Sequence, residues 1–336
     1  MVTNRRIVLN RRPVGMPVPE DFGVQVVDRG QLADGQILVE NHILSIDPAI
    51  RGWLDDRPSY MPPIGLGEVI RGMTLGEVIE SRNPAIPVGS MVRGLAAWEE
   101  YSVLGDALGL EILAVDAGVP AAQHMGVLGP AGLTAWIGLK VIGDVKPGET
   151  VLISAAAGAV GNVAGQIAKI LGCRVVGIAG TEAKCQALLD IGFDAVVNHR
   201  TATDLEAAIR EACPEGIDVY FDNVGGRVLE AVLPVMRLNG RVAVCGMVGD
   251  YNDAGNPYGV KTLWQLVVNR ITMRGFLTYD HADRLGEAQA DLDRWVRAGT
   301  LLPIDNVRHG IDSAPLALID LLAGRTHGKT LVHLKS

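Results

Sequence analysis

Apolar positions fall into two rhythms that divide the chain. From residue 150 onward, short apolar runs alternate with stretches of helical spacing. Val151, Leu152 and Ile153 form a run short enough for one buried strand. Val160, Val163, Ala164, Ile167, Ala168 and Leu171 then recur at i, i+3, i+4, i+7, i+8 and i+11, one apolar stripe, and Gly172 stands where a left-handed cap ends the helix. The alternation predicts further strands over 175–178, 195–197, 219–221, 242–245 and 271–273. Between them it predicts a helix over 184–189 that stops at Gly192, one opened by a capping box of Thr203 and Glu206, and one from 228 to near Gly240. Six strands with helices between them predict an α/β fold with a doubly wound parallel sheet.

The first part of the chain has a different pattern. Prolines and glycines punctuate short β-rich runs at 37–39, 75–79, 91–92 and 101–103, which predicts a mostly β domain. The stretches 46–52 and 60–68, with stiff prolines beside glycines, read as turns. A short apolar helix over 133–139 leads to the turn Lys146-Pro147-Gly148-Glu149. Near the end, a helix over 285–296, a helix over 313–322 and a strand over 330–332 follow the sixth strand. The last strand has no place in the six, so the chain is expected to return to its first domain. The predicted division is 1–126 with 302–336, and 127–301.

The turn after the first strand of the parallel sheet carries candidate chemistry. It fits GxGxxG with Ala156 in the first place, Gly158 in the second and Gly161 in the third. Gly158 would let the backbone approach a pyrophosphate, Gly161 would let the helix pack against its strand, and the helix start would offer unpaired N–H groups to phosphate. Strand, glycine turn, helix and strand together make the unit that binds a dinucleotide. At the end of the second strand, where an NAD enzyme usually places a carboxylate for the ribose 2'-OH, the chain reads Ala179-Gly180-Thr181. Lys184 follows, and a cation there suits the 2'-phosphate of NADP, with Glu182 the one residue favouring NAD. Position beyond the strand ends also brings Asn223, Gly246, Met247 and Phe276 towards the cofactor.

Composition narrows the partners. A chain of 336 residues is long enough for two domains with substantial cores, and a formal charge of -8 without a basic run argues against nucleic acid. Ser154, Asn162 and Gln166 interrupt the most apolar stretch, which argues against a membrane span, and the N-terminus does not read as a secretory signal. The cytoplasm is therefore the expected location. Its four cysteines, Cys173, Cys185, Cys213 and Cys245, form no CxxC pair, so neither a structural zinc site nor a disulfide framework is expected.

Several motifs lie outside these rhythms: Asn4-Arg5-Arg6, Asp47-Pro48 with Arg51-Gly52, Gly67-Glu68-Val69, Leu133-Thr134-Ala135, the run 155–161, Phe221 to Gly226, Cys245-Gly246 with Tyr251-Asn252, and Gly328-Lys329-Thr330. Together they resemble the zinc-independent medium-chain dehydrogenase/reductases, specifically the group of prostaglandin reductase, leukotriene B4 dehydrogenase and curcumin reductase, NADPH-dependent alkenal/one oxidoreductases. The resemblance spans nearly the whole chain. It implies a six-stranded Rossmann domain that binds NADP and a GroES-like catalytic domain. It also implies a homodimer paired through the last strand of the parallel sheet, and hydride transfer to the β-carbon of an α,β-unsaturated ketone or aldehyde without metal.

Roles carried over by the resemblance are specific. Gly158, Ala159, Val160 and Gly161 would hold the pyrophosphate. Gly180, Thr181, Lys184 and His199 would surround the adenosine phosphate, the last standing where relatives have tyrosine. Asn223, Cys245, Gly246, Phe276, Thr278 and Thr326 would line the rest of the cofactor. Tyr251, with the nicotinamide ribose hydroxyl, would stabilise the enolate oxygen. Ala49, Arg51, Tyr60 and Tyr258 would shape the substrate pocket, Ala49 in place of the group's tyrosine. A quinone oxidoreductase of the same superfamily and a non-catalytic NADPH-binding protein are the competing readings.

Overall fold

Charge conceals the first element. The computed structural model describes residues 3–105, 109–114, 118–253 and 255–335. The chain divides into two units, Met1–Met125 with Asp305–Thr326 and Thr330–Ser336, and Gly126–Ile304 with His327–Lys329. In the first unit β1 (Thr3–Leu9) pairs antiparallel with β2 (Phe22–Asp28), Ile7 opposite Val24, where the sequence reading placed no strand. Arg5 and Arg6 break the alternation of β1, although Ile7, Val8 and Leu9 are buried. The short apolar runs that followed lie within longer strands, β3 (Ile37–Ile46), β4 (Arg71–Ser81), β5 (Met91–Ala97) and β6 (Tyr101–Leu104), and the two-residue β7 (Glu111–Ile112) follows where no run was predicted. Between β3 and β4, where a turn was expected, the single-turn helix α1 (Ile50–Trp53) buries Ile50, Arg51 and Trp53.

The second unit opens with α2 (Pro130–Ile137), whose Pro130 occupies the first turn, where a missing N–H costs nothing. A π-helical turn, Gly138–Ile142, continues it, and Gly138 packs so closely that a Cβ would lie 2.4 Å from the Phe221 ring. Then β8 (Thr150–Ile153), α3 (Ala159–Ile170), β9 (Arg174–Ala179), α4 (Glu182–Asp190), β10 (Ala195–Asn198) and α5 (Leu205–Ala212) alternate as expected. The cap of α5 is a correction: the Asp204 side chain, not Thr203, accepts from the backbone, at Ala207 N, 3.0 Å away. β11 (Ile217–Asp222) and α6 (Gly226–Val232) follow, and α6 stops well short of Gly240. Residues from 236 on already form β12 (Met236–Val244), an irregular strand with Asn239 at φ +63. α7 (Trp264–Val268), β13 (Thr272–Gly275) and α8 (Leu285–Arg297) complete the unit.

All pairings of this sheet are parallel, in the order β10-β9-β8-β11-β12-β13, so β8 lies inside it. Its four residues are buried, and sequestering Val151, Leu152 and Ile153 contributes about 1.5–3 kcal/mol each. The chain then returns to the first unit through β14 (Asp305–His309), α9 (Ala314–Leu322) and β15 (Lys329–His333). There β15 pairs antiparallel with β3, Thr330 opposite Ile46, in the order β14-β15-β3-β4-β5-β7, with β6 also on β3. The mostly β unit and the doubly wound unit are the two folds the pattern predicted.

Candidate active site

The glycine turn between β8 and α3 is shaped by contacts that exclude side chains. A Cβ on Gly161 would meet Ala155 O at 2.4 Å and Ala156 Cα at 2.8 Å, so no other residue fits there without moving the backbone. Gly158 is less constrained, at 3.2 Å from Ala155 O, and serves as the N-cap of α3. Ala155 itself adopts φ +46, a left-handed conformation in which an L side chain is strained. No side chain caps α3, whose start therefore presents backbone N–H groups that suit an anion. The segment before β15 lies along this turn: Gly328 N donates to Ala157 O at 2.9 Å, and Gly328 bridges Gly158. The sequence reading selected Thr326, which is buried in the other unit, and passed over His327, which no periodicity marks.

Basic side chains gather past β9. Thr181 caps α4 by accepting from Lys184 N at 3.3 Å. Gly180 runs beneath two of them, since a Cβ there would lie 2.9 Å from His199 Nε2 and 3.2 Å from Arg200 Nε. Loss of water, and then Arg200, holds the Lys184 ammonium below its usual pKa. Loss of water, and then Arg200 and Lys184, does the same to His199. Positive groups that repel one another beside a strand ending in Ala179, with no carboxylate at its tip, fit a phosphomonoester on the adenosine ribose. With the uncapped helix start, these residues fit NADP.

At the far ends of β11 and β12 a buried carboxylate organises the backbone. Asp222 is fully buried, and its Oδ1 accepts from Tyr220 O–H (2.7 Å), Ser154 O–H (3.1 Å) and the Val224 and Gly225 N–H groups (2.9 Å each). Burial pushes its pKa up while those donors hold it down. Ser154 in turn accepts from Asn223 N, and Asn223 Nδ2 donates to Ser154 O at 2.8 Å, which fixes the Asn223 side chain. Cys245 N and Gly246 N both donate to Asp222 O. Neither Ser154 nor Asp222 was singled out from the sequence as a site residue, although an acid ending an apolar strand run is a signal that could have found Asp222.

Tyr251 packs over this backbone, its hydroxyl 3.2 Å from where a Gly246 Cβ would be. Burial raises its pKa, Cys245 adds to the rise, and a hydrogen bond with the Met247 backbone opposes it. The Cys245 thiol is itself pushed up to about 12, by burial and then by Asp222. Phe276 stands edge-on to Phe221, centroids 6.4 Å apart, and the Thr278 and Thr134 hydroxyls lie 2.9 Å apart. Tyr258 donates its O–H to Glu230 at 2.8 Å and carries the Arg227 guanidinium over its ring.

The remaining substrate-pocket expectations lie in the other unit. Ala49 starts α1 and packs half-buried on that unit's core. Arg51 is buried, with Nη1 on Asp55 Oδ1 at 2.7 Å and Nη2 on Gly15 O at 3.0 Å, so its guanidinium braces the surrounding loops. Tyr60 is exposed and meets Trp53 edge-on. Among the described residues no group of three or more His, Cys, Asp or Glu is placed to hold a metal ion.

Known proteins match this arrangement. Family models described as "N-terminal domain of oxidoreductase" and "Zinc-binding dehydrogenase" match residues 5–113 and 159–293. The NADPH-dependent curcumin reductase of Escherichia coli is 39% identical over 338 residues, 98% of this chain and 97% of that protein. The NADP(+)-dependent 2-alkenal reductase of Nicotiana tabacum is 38% identical, with 98% and 97% covered, and prostaglandin reductase 1 of Sus scrofa 36%, with 99% of each. The crystal structure of CurA from Vibrio vulnificus in complex with NADPH superposes with a TM-score of 0.92 at 38% identity, covering 99% of both chains. Full-length likeness at this level, on the fold and glycine turn described, means that the chain belongs to the medium-chain dehydrogenase/reductases, in the group of the curcumin, alkenal and prostaglandin reductases.

Proposed function

We propose that this protein reduces the carbon-carbon double bond of α,β-unsaturated ketones and aldehydes with NADPH. The observation that carries the reading is identity of 36–39% over essentially the whole chain to reductases named for such substrates. This chain's own cations past β9 support the cofactor choice. Bound NADPH would supply the hydride for the β-carbon. Gly158, Ala159, Val160 and Gly161 would hold its pyrophosphate, Lys184 with His199, Gly180 and Thr181 its 2'-phosphate, and Asn223, Cys245, Gly246, Phe276, Thr278 and Thr326 the remainder. Tyr251 would donate its phenol proton as a hydrogen bond to the substrate oxygen, where negative charge develops. Hydride at the β-carbon leaves an enolate whose α-carbon takes its proton from solvent, so a hydride donor, a hydrogen-bond donor and a conjugated acceptor suffice, and we read the reduction as metal-free. Ala49, Arg51, Tyr60 and Tyr258 belong to the surroundings we assign to substrate.

Mixing the protein with NADPH and an aliphatic enone should consume the cofactor and yield the saturated ketone, at a rate that chelator treatment leaves unchanged. Consumption with quinones but not with enones would transfer the assignment to quinone reduction, and cofactor binding without turnover on either would leave a binding protein. We further infer a homodimer through β13, supported by the exposure of that edge strand, and a cytoplasmic setting, supported by free thiols at all four cysteines and by the cofactor assigned.

A further inference from the structure

His327 belongs to no motif and to no step described so far. It immediately precedes Gly328, whose N–H bonds Ala157 O and which bridges Gly158, so the backbone next to His327 is tied to the turn assigned to the pyrophosphate. Its Nε2 is buried and, among the described residues, meets no hydrogen-bond partner. Lys184 lies within electrostatic reach, and together with burial it holds the His327 pKa below its usual value. The neighbouring elements contribute basic groups: Lys184 from α4, His199 and Arg200 from the end of β10, and Lys329, buried at the start of β15. Glu182, exposed in the first turn of α4, is the carboxylate of that helix start.

Resting on the NADPH reading, we propose that His327 joins His199 in the subsite for the 2'-phosphate, and that the two imidazoles take up protons as the dianion enters. Burial, and then the nearby cations, lower the pKa of both rings; the incoming negative charge opposes both effects, and each ring that takes up a proton gains an N–H to donate. More protons are bound in the complex than in the free protein, so affinity for the phosphorylated cofactor rises as pH falls. One proton fully taken up changes affinity tenfold per pH unit. An unphosphorylated adenosine gains nothing.

Isothermal titration with adenosine 2',5'-bisphosphate, in buffers of different ionisation heat at pH 7 and 8, measures the uptake directly. In this range the phosphate, with its second pKa of about 6, is already a dianion and releases little itself. The expected result is proton uptake, binding several-fold tighter at pH 7 than at pH 8, less uptake in His199→Gln and in His327→Gln, and none with adenosine 5'-monophosphate. Normal binding with identical heats in both buffers overturns the proposal and leaves the NADPH assignment standing. Unchanged uptake in His327→Gln, checked as folded by circular dichroism, removes that residue. No association with the bisphosphate under any condition would instead overturn the NADPH assignment beneath it.

Discussion

A phenol can stabilise an enolate oxygen only while it keeps its proton, and Tyr251 is set up to keep it. Burial raises its pKa above the ordinary value of about 10, so the group stays a donor throughout neutral and mildly alkaline pH. The rate should therefore show no loss from Tyr251 titration below pH 10. Tyr251→Phe should lower kcat by about 100- to 1000-fold, the cost of one such donor, with NADPH affinity nearly unchanged; an unaltered kcat takes Tyr251 out of the reaction. Lys184→Ala should weaken NADPH by about 1.5–3 kcal/mol, the worth of a hydrogen bond to a charged group, and spare NADH. Equal losses for both cofactors in fluorescence titrations would show that Lys184 does not read the 2'-phosphate. At Ala155, φ +46 stores strain of about 1–2 kcal/mol, against about 0.5–1 kcal/mol of extra chain entropy lost by a glycine. Ala155→Gly should raise the melting temperature slightly, and a fall would contradict the strain.

At the scale of elements, the α5 start gives a direct comparison. Asp204→Ala should cost about 1 kcal/mol of stability and Thr203→Ala close to nothing, because only the Asp204 carboxylate meets the Ala207 N–H. The reverse order in urea unfolding would restore the cap expected from the sequence. That one-residue error is typical of what local pattern leaves open, since both residues suit a cap and only the backbone path decides between them. Helices α3 and α8 and the buried cores of β8, β9 and β11 were legible because one face or the whole run is apolar. The polar stretches of other strands were not. All of β14 is polar or half-exposed, and the first half of β12, Arg237 to Asn239, faces solvent and carries a left-handed residue, so neither shows a period. The candidate site divides in the same way: spacing drew attention to Gly158, Gly161 and Lys184, whereas no local pattern could pair residues 68 or more apart, as in the Ser154–Asp222 bond and the Ala157–Gly328 bond.

One open edge matters only at the scale of the whole molecule. The parallel sheet ends at β13, where all four residues are exposed and, among the described residues, only β12 pairs with them. Unpaired backbone groups on an open edge invite another strand. Just before it, α7 buries none of its residues, and Trp264 is 69% and Val267 60% exposed. Exposed aromatic and branched side chains beside an open edge are costly to leave in water and supply the apolar centre that an interface needs. A second copy satisfies both features if its β13 runs antiparallel to the first about a twofold axis, because the same patch then meets itself. Light scattering should accordingly give twice the 35.6 kDa chain mass at micromolar concentration. Replacing both exposed side chains, Trp264→Asp with Val267→Asp, buries two carboxylates against their symmetry mates, each without a partner. That double variant should run as a monomer and retain the circular dichroism of the parent. A monomeric parent, or a double variant that still dimerises, would mean that this edge is covered by something other than its own copy.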